Sequence, residues 1–195
     1  MTTVHFIRHA RPDLSVHDDR TRPLSAEGLA DCHLIEAYLS EKSLAAVLSS
    51  PYRRAMDTVG SLAHARRLAV LPVEDFRERR ISDVWIEDFS GFARRQWADC
   101  NYKLPGGESL RETETRCIGA LESILQQYAG QSVAVGIHGT ALSCILHHFI
   151  PSFGYNDFCE ISHEMPWIVT MAFEDSACVS ITEYRVFSRT TRRLL

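Results

Sequence analysis

Apolar residues along this chain alternate between two periods, and the switches between them mark out a succession of strands and helices. Val4, Phe6 and Ile7 form a short apolar run that suits a covered strand, and it stops at Arg8-His9-Ala10. After a polar loop, Ser25 is placed to cap a helix, with Glu27 in its first turn and Leu29, Cys32, Ile35 and Leu39 at helical spacing toward the core. Leu44–Leu48 predicts a second strand. Ser50 can cap and Pro51 can open the helix that follows, which carries Ala55, Met56, Val59 and Leu62 inward. Leu68–Leu71 predicts a third, shorter strand.

Further along, Ser109-Leu110-Arg111-Glu112 is a capping box that starts a long helix, with a stripe through Leu110, Cys117, Leu121, Ile124, Leu125 and Tyr128 and a stop at Gly130. Ser132–Ile137 is nearly continuous in apolar character, as a strand covered on both faces should be. Ala141–Phe149 reads as the next helix. Trp167–Phe173 and Ala177–Tyr184 alternate as two strands around the turn 174–176, and with no helix between them at least one runs antiparallel. The expected fold is α/β: a three-layer α/β/α, doubly wound, mostly parallel sheet with one antiparallel strand near the C-terminus. Between Ile81 and Leu104, Trp85, Phe89, Phe92, Trp97 and Tyr102 show no firm period, so 81–104 is expected to be an insertion or lid on one domain spanning 1–195. Arg189-Thr190-Thr191-Arg192-Arg193 reads as a solvated tail.

Composition narrows the partners. Basic residues number 21 and acidic residues 25, for a net charge of −4, so neither nucleic acid nor an anionic membrane is expected as a partner, and any attraction for anions must be local. The most apolar region, Val133 to Ile150, is interrupted by His138, His147 and His148 and is not a membrane span. Cys32, Cys100, Cys117, Cys144, Cys159 and Cys178 are scattered, with no C-x-x-C pair, and read as small buried hydrophobes in a reducing compartment. The start of the chain lacks the basic and apolar regions of a signal peptide, and a cytoplasmic location is expected.

Chemistry gathers at three strand-to-helix junctions. They carry Arg8 and His9, Arg53 and Arg54, and His138. In a doubly wound sheet the carboxyl ends of parallel strands share one edge, where ligands bind. A guanidinium fork matches phosphate oxygens, a neutral imidazole can act as a nucleophile, and a helix N-terminus favours an anion. Two histidines and at least two arginines around one hollow suggest phosphoryl transfer without a metal or other cofactor. His147 and His148 are adjacent on a helix, point in different directions and read as packing residues.

Arg8-His9-Ala10, Ser49-Ser50-Pro51-Tyr52-Arg53-Arg54-Ala55, Arg77-Glu78-Arg79, Pro105-Gly106-Gly107-Glu108-Ser109 and Gly136-Ile137-His138-Gly139 occur in this order, preceded by Pro23-Leu24-Ser25-Ala26-Glu27-Gly28 at the first helix. Together they resemble the histidine phosphatase superfamily, also called phosphoglycerate-mutase-like. The resemblance implies that His9 becomes a phosphohistidine while Arg8, Arg54 and His138 hold the equatorial oxygens, with Arg54 chosen over Arg53 because it directly precedes Ala55. Glu78 matches the acid that protonates the leaving oxygen. Ala10 stands where the family has glycine, and Ser15 stands at a phosphate-binding position where many members have asparagine. Ser82-Asp83-Val84-Trp85-Ile86-Glu87 departs from the family's pattern after the acid, so Asp83 and Glu87 stay open as alternatives to Glu78.

The resemblance implies a metal-independent phosphomonoester hydrolase acting on a phosphorylated small molecule or protein. Alternatives are a phosphoglycerate mutase, for which 81–104 is short, and an inactive relative that binds phosphorylated ligands. The loop residues Arg11, His17, Arg20 and Arg22 are candidates to touch substrate. Oligomeric state is not legible in the sequence.

Overall fold

The structure is a computed structural model that describes residues 1–84 and 86–195. Trp85, one of the aromatic residues expected in the insertion, lies outside the described residues. In chain order the elements are β1 (Thr2–Arg8), α1 (Ala26–Leu39), β2 (Ala46–Ser49), α2 (Arg53–Ala65), β3 (Val70–Pro72), α3 (Phe89–Ala98), α4 (Leu110–Gln127), β4 (Ser132–Ile137), α5 (Gly139–Phe149), α6 (Tyr155–Glu160), β5 (Trp167–Glu174), β6 (Ala177–Arg185) and β7 (Thr190–Arg193). Single 3₁₀ turns lie at Glu74–Phe76 and Ile161–His163.

The strands form one sheet in the order β3-β2-β4-β1-β5-β6-β7. Pairs β3·β2, β2·β4 and β4·β1 are parallel, and β1·β5, β5·β6 and β6·β7 are antiparallel. The sheet is thus the mixed, mostly parallel one expected, with a C-terminal antiparallel portion larger than one strand. Its seventh strand replaces the tail expected at 189–193. Thr190–Arg193 pairs with β6 along the outer edge, where exposed polar side chains suit a blunted edge strand.

The two-residue period of the central strands sorts the core into two layers. Val4 and Phe6 of β1 and Val133, Val135 and Ile137 of β4 join Leu121, Ile124, Leu142 and Ile145 from α4 and α5. On the other face, Ile7, Val47 and Ala134 join Ile35 and Leu39 of α1 and Val59 and Leu62 of α2. Burial on both sides explains the unbroken apolar character of β4. His5 lies among these buried residues and bonds Thr170 Oγ1 at 2.8 Å, in register across β1 and β5. Burial, helped by the charge of Lys42, lowers its pKa to about 4.

Several boundaries differ from expectation for local reasons. Ser25 caps α1 by accepting from the Gly28 N–H at 3.0 Å, but Gly28, Cys32, Ile35 and Leu39 form the inward stripe and Leu29 is exposed. A Cβ at position 28 would sit 2.2 Å from the Arg11 carbonyl oxygen, so the helix turns its bare residue to that loop. α2 starts at Arg53 rather than Pro51, and Met56 is only half-buried. The capping box of α4 forms as read, with Ser109 Oγ accepting from the Glu112 N–H at 3.1 Å and Glu112 accepting from the Ser109 N–H at 2.8 Å. The segment 81–104 contains α3, whose Trp97 packs against His147, Phe153 and Phe158. All six cysteines are free thiols; Cys32, Cys117 and Cys144 are buried as expected, whereas Cys159 is exposed. Among the described residues, no helix is long and apolar enough to cross a membrane.

Candidate active site

Because β1, β2 and β4 run parallel, their carboxyl ends open on the same edge, and the chain leaving each is tied to the next. The His9 N–H donates to the Ile137 carbonyl at 3.0 Å, and the Ser50 N–H donates to the Gly136 carbonyl at 2.8 Å. These bonds bring the rings of His9 and His138 to 5.3 Å between centroids, inclined at 63°. The three junctions thus meet in one place.

His9 Nδ1 lies 2.8 Å from the carbonyl oxygen of Ala10. A carbonyl can only accept, so Nδ1 carries the hydrogen and the lone pair of the neutral ring sits on Nε2. Burial, reinforced by the charges of Arg54 and Arg8, holds the His9 pKa well below the ordinary imidazole value. The ring is therefore neutral at physiological pH and available as a nucleophile. Ala10 is fully buried and donates its N–H to Thr58 Oγ1 at 3.0 Å, while that hydroxyl donates to the Arg54 carbonyl at 2.6 Å. Ala10 is not among the residues with positive φ, so alanine replaces the family's glycine without backbone strain.

Two guanidinium groups face this pair. Arg8 Nη1 donates to the Ile161 carbonyl at 2.5 Å and the Glu164 carbonyl at 3.2 Å. The plane of Arg8 lies against Gly139, where a Cβ would come within 3.0 Å of Nε. Burial lowers the Arg8 pKa to about 10, against the opposing pull of Glu78 and Glu164, and the group stays cationic at neutral pH. Arg54 is buried in the first turn of α2, where it donates to the Asp19 carbonyl at 2.5 Å, pairs with Asp19 Oδ1 at 3.1 Å and lies over the Tyr52 ring at 5.2 Å. Arg53 points outward and pairs with Asp57 at 3.4 Å. The choice between these neighbours is thus a matter of helix face.

His138 is fully buried, with Nε2 at 2.7 Å from Ser50 Oγ. Its pKa is also pushed well below the usual value, by burial first and then by Arg54. His138 Nδ1 and Arg8 Nε are buried and have no hydrogen-bond partner among the described residues. Leaving such groups unsatisfied is costly, and an oxyanion between the two histidines would relieve it.

Glu78 lies at the mouth of α5. Its carboxylate accepts from the Thr140 and Ala141 N–H groups, each at 3.1 Å, and from the Arg79 N–H at 2.8 Å. The Thr140 and Ala141 donors belong to the helix turn that follows His138, so the carboxylate is anchored beside the histidine pair. Asp83 is exposed and pairs with Arg80, and Glu87 is exposed. Of the three carboxylates, the geometry brings Glu78 to the site.

Ser15 is not gathered with these residues. It is exposed, and both its hydroxyl and its N–H donate to Asp13 Oδ1, at 2.7 and 3.0 Å. Arg11 pairs with Glu27 and Arg20 with Glu74. Arg22 braces the loop through the Val16 and His17 carbonyls and Asp19, and its charge reaches His9. Sequence reasoning missed Asp19, which fixes Arg54, and Thr58, which links Arg54 to Ala10. It read Ser50 only as a cap. Among the described residues, no group of three His, Cys, Asp or Glu side chains is placed to hold a metal ion.

The family model for the histidine phosphatase superfamily (branch 1) matches residues 4–183. The chain belongs to that superfamily. Among its curated relatives, it is 27% identical over 150 residues to the uncharacterized phosphatase PhoE of Bacillus subtilis, covering 75% of this chain and 76% of that protein. It is 26% identical over 160 residues to the probable phosphoglycerate mutase GpmB of Serratia proteamaculans, covering 75% and 74%. Among solved structures, YhfR of Bacillus stearothermophilus superposes with a TM-score of 0.77 at 20% identity, over 91% of this chain and 94% of that one. A mycobacterial glucosyl-3-phosphoglycerate phosphatase gives 0.72 at 15% identity, over 99% and 97%. These superpositions show a shared fold across both the parallel and antiparallel parts of the sheet.

Proposed function

We propose that this histidine phosphatase is a metal-independent phosphomonoester hydrolase that works through a phosphohistidine on His9. The observation that carries the reading is the bond from His9 Nδ1 to the Ala10 carbonyl, which leaves Nε2 unprotonated in a ring kept neutral by its surroundings. Nε2 attacks phosphorus and the bond to the leaving oxygen breaks. Arg8, Arg54 and His138 hold the equatorial oxygens, where fixed donors and charges stabilise the transition state most. Glu78 is the general acid that delivers a proton to the leaving oxygen as its bond to phosphorus breaks. The resulting carboxylate then takes a proton from water as that water attacks the phosphohistidine, releasing phosphate and restoring both residues.

In this reading 81–104 is a lid on a single domain, its α3 joined to the floor through Arg79, which pairs with Gln96 and lies over the Phe92 ring. The substrate is a phosphorylated small molecule or protein, and Ser15 is left outside the phosphate ring. Six free thiols support a reducing, cytoplasmic setting.

A second reading, mutase-type phosphoryl transfer, is favoured by the similarity to probable phosphoglycerate mutases. Incubation with p-nitrophenyl phosphate and with 3-phosphoglycerate, in EDTA, separates the two. Hydrolysis predicts phosphate release from p-nitrophenyl phosphate, vanadate inhibition and an acid-labile phosphoprotein that is lost in His9→Ala. Formation of 2-phosphoglycerate without net phosphate release would support the mutase. Loss of turnover in EDTA would refute the metal-independent mechanism, and binding without turnover would indicate an inactive relative.

A further inference from the structure

His138 follows β4 and opens α5 with both ring nitrogens shut away from solvent, and among the described residues only one of them is engaged. A neutral imidazole has one proton, so its location decides whether the ring meets a phosphoryl group as a donor or as an acceptor. An ionised phosphoryl oxygen offers lone pairs and needs a donor. Nδ1 must therefore be the protonated nitrogen if His138 is to hold one.

Ser50 provides the means of placing that proton. Its side chain is fully buried, and its oxygen already accepts from the Tyr52 N–H at 3.2 Å while lying 2.7 Å from His138 Nε2. If the hydroxyl donates to Nε2, its hydrogen is satisfied and the ring proton sits on Nδ1. If instead Nε2–H donates to the hydroxyl, the serine hydrogen is buried with no acceptor shown and Nδ1 becomes a bare acceptor in a cationic pocket. The first arrangement leaves fewer groups unsatisfied. It also leaves the Nδ1–H as an unengaged donor for an anion.

We propose that Ser50 is a positioning residue that donates to His138 Nε2 and thereby fixes the Nδ1–H tautomer, making His138 a hydrogen-bond donor to phosphoryl oxygen. The role as donor rests on the phosphatase reading above, whereas the tautomer is a property of the resting protein. No proton leaves His138 during turnover; it keeps its hydrogen and shares it. The backbone N–H of Tyr52 contributes by occupying a serine lone pair, which directs the hydroxyl hydrogen toward the imidazole.

Histidine ¹⁵N spectra of the substrate-free protein at neutral pH test this, with the His138 signals assigned by their loss in His138→Gln. Protonated-nitrogen character at Nδ1 and bare-nitrogen character at Nε2 are expected, with the Nδ1 proton shifting on addition of inorganic phosphate. In Ser50→Ala a fraction with Nε2 protonated should appear, with phosphate affinity and kcat each falling about tenfold. Ser50→Thr, which keeps the hydroxyl, should restore both. A wild-type ring protonated at Nε2, or a Ser50→Ala protein unchanged in tautomer and kinetics, would overturn the proposal. Should Ser50→Ala fail to fold, the wild-type spectrum alone decides. An Nδ1–H ring in a protein that forms no phosphohistidine would retain the tautomer assignment and reject the phosphatase reading, which keeps the two failures apart.

Discussion

The two parts of the sheet do different work. In β3-β2-β4-β1 every strand runs the same way, and each helical crossover returns the chain to the same edge, so the ends of β1, β2 and β4 deliver His9, Ser50 and His138 to one crevice. In β5-β6-β7, short turns reverse the chain each time, and successive strand ends fall on opposite edges. That part instead braces the site. Trp167 lies opposite Arg8 in register and donates through Nε1 to buried Glu183 at 3.0 Å. Arg192 of β7 holds Glu183 at 2.6 Å, and Arg185 pairs with Glu160 and reaches Glu164 at 3.8 Å. Glu160 and Glu164 flank the 3₁₀ turn that carries the Ile161 carbonyl, and the Ile161 and Glu164 carbonyls hold Arg8. Chemistry on one side is thus fastened from the other.

Substitutions in the parallel part should be the most damaging. His9→Ala is expected to abolish the phosphoprotein and lower kcat by about 10⁴-fold or more, measured on p-nitrophenyl phosphate. Retained turnover would remove the nucleophile from the account. Next, Arg54→Ala should lower kcat/KM by about 10²–10³-fold, while Arg53→Ala, one residue away on the exposed face, should stay within about twofold. Equal effects of the two would contradict the helix-face assignment.

Acid sensitivity should also belong to the parallel part. His5, His9 and His138 are buried with pKa values below that of an unfolded imidazole. As pH falls below about 6.5, the unfolded chain takes up protons that the folded one refuses, so folding stability is full above that value and is lost toward each lowered folded pKa. For His5, with its pKa at about 4, the loss between pH 6.5 and 4 amounts to about 3 kcal/mol at most. Thermal melts should show it, with a shallower slope in His5→Asn. A flat profile would mean that these rings are not held neutral.

The smallest effect is expected across the boundary. Arg185→Ala should weaken inhibition by inorganic phosphate about threefold through the loosened Arg8 seat, because partly exposed ion pairs contribute less than about 1 kcal/mol. A loss as large as that of Arg54→Ala would make the antiparallel part more than a brace.

What could be read in advance tracks what burial does to sequence. β4 matches its expected limits, and α4 begins at its capping box, because an apolar run and a reciprocal cap are written in consecutive residues. β7 escaped because Thr190–Arg193 is exposed along its length and shows no period; only pairing with β6 makes it a strand. The inward stripe of α1 was off by one residue at its start, since a glycine pressed against the Arg11 carbonyl carries no hydrophobic signal. At the site, the residues that would touch phosphate stood out as arginine and histidine at strand ends. Ser50, Thr58 and Asp19 did not, because their importance lies in which neighbour they face. Ala10, where the family has glycine, has no positive φ, a backbone fact that no residue type announces.

Gly139 sets a dimension of the crevice by what it lacks. Its α-hydrogen is the surface against which the guanidinium of Arg8 rests, so the position of that group depends on a bare stretch of main chain. Even a methyl group there would come within 3.0 Å of Nε and 3.1 Å of Cζ and Nη2, and the guanidinium would have to give way. The seat of Arg8 therefore has almost no room for a side chain at this position.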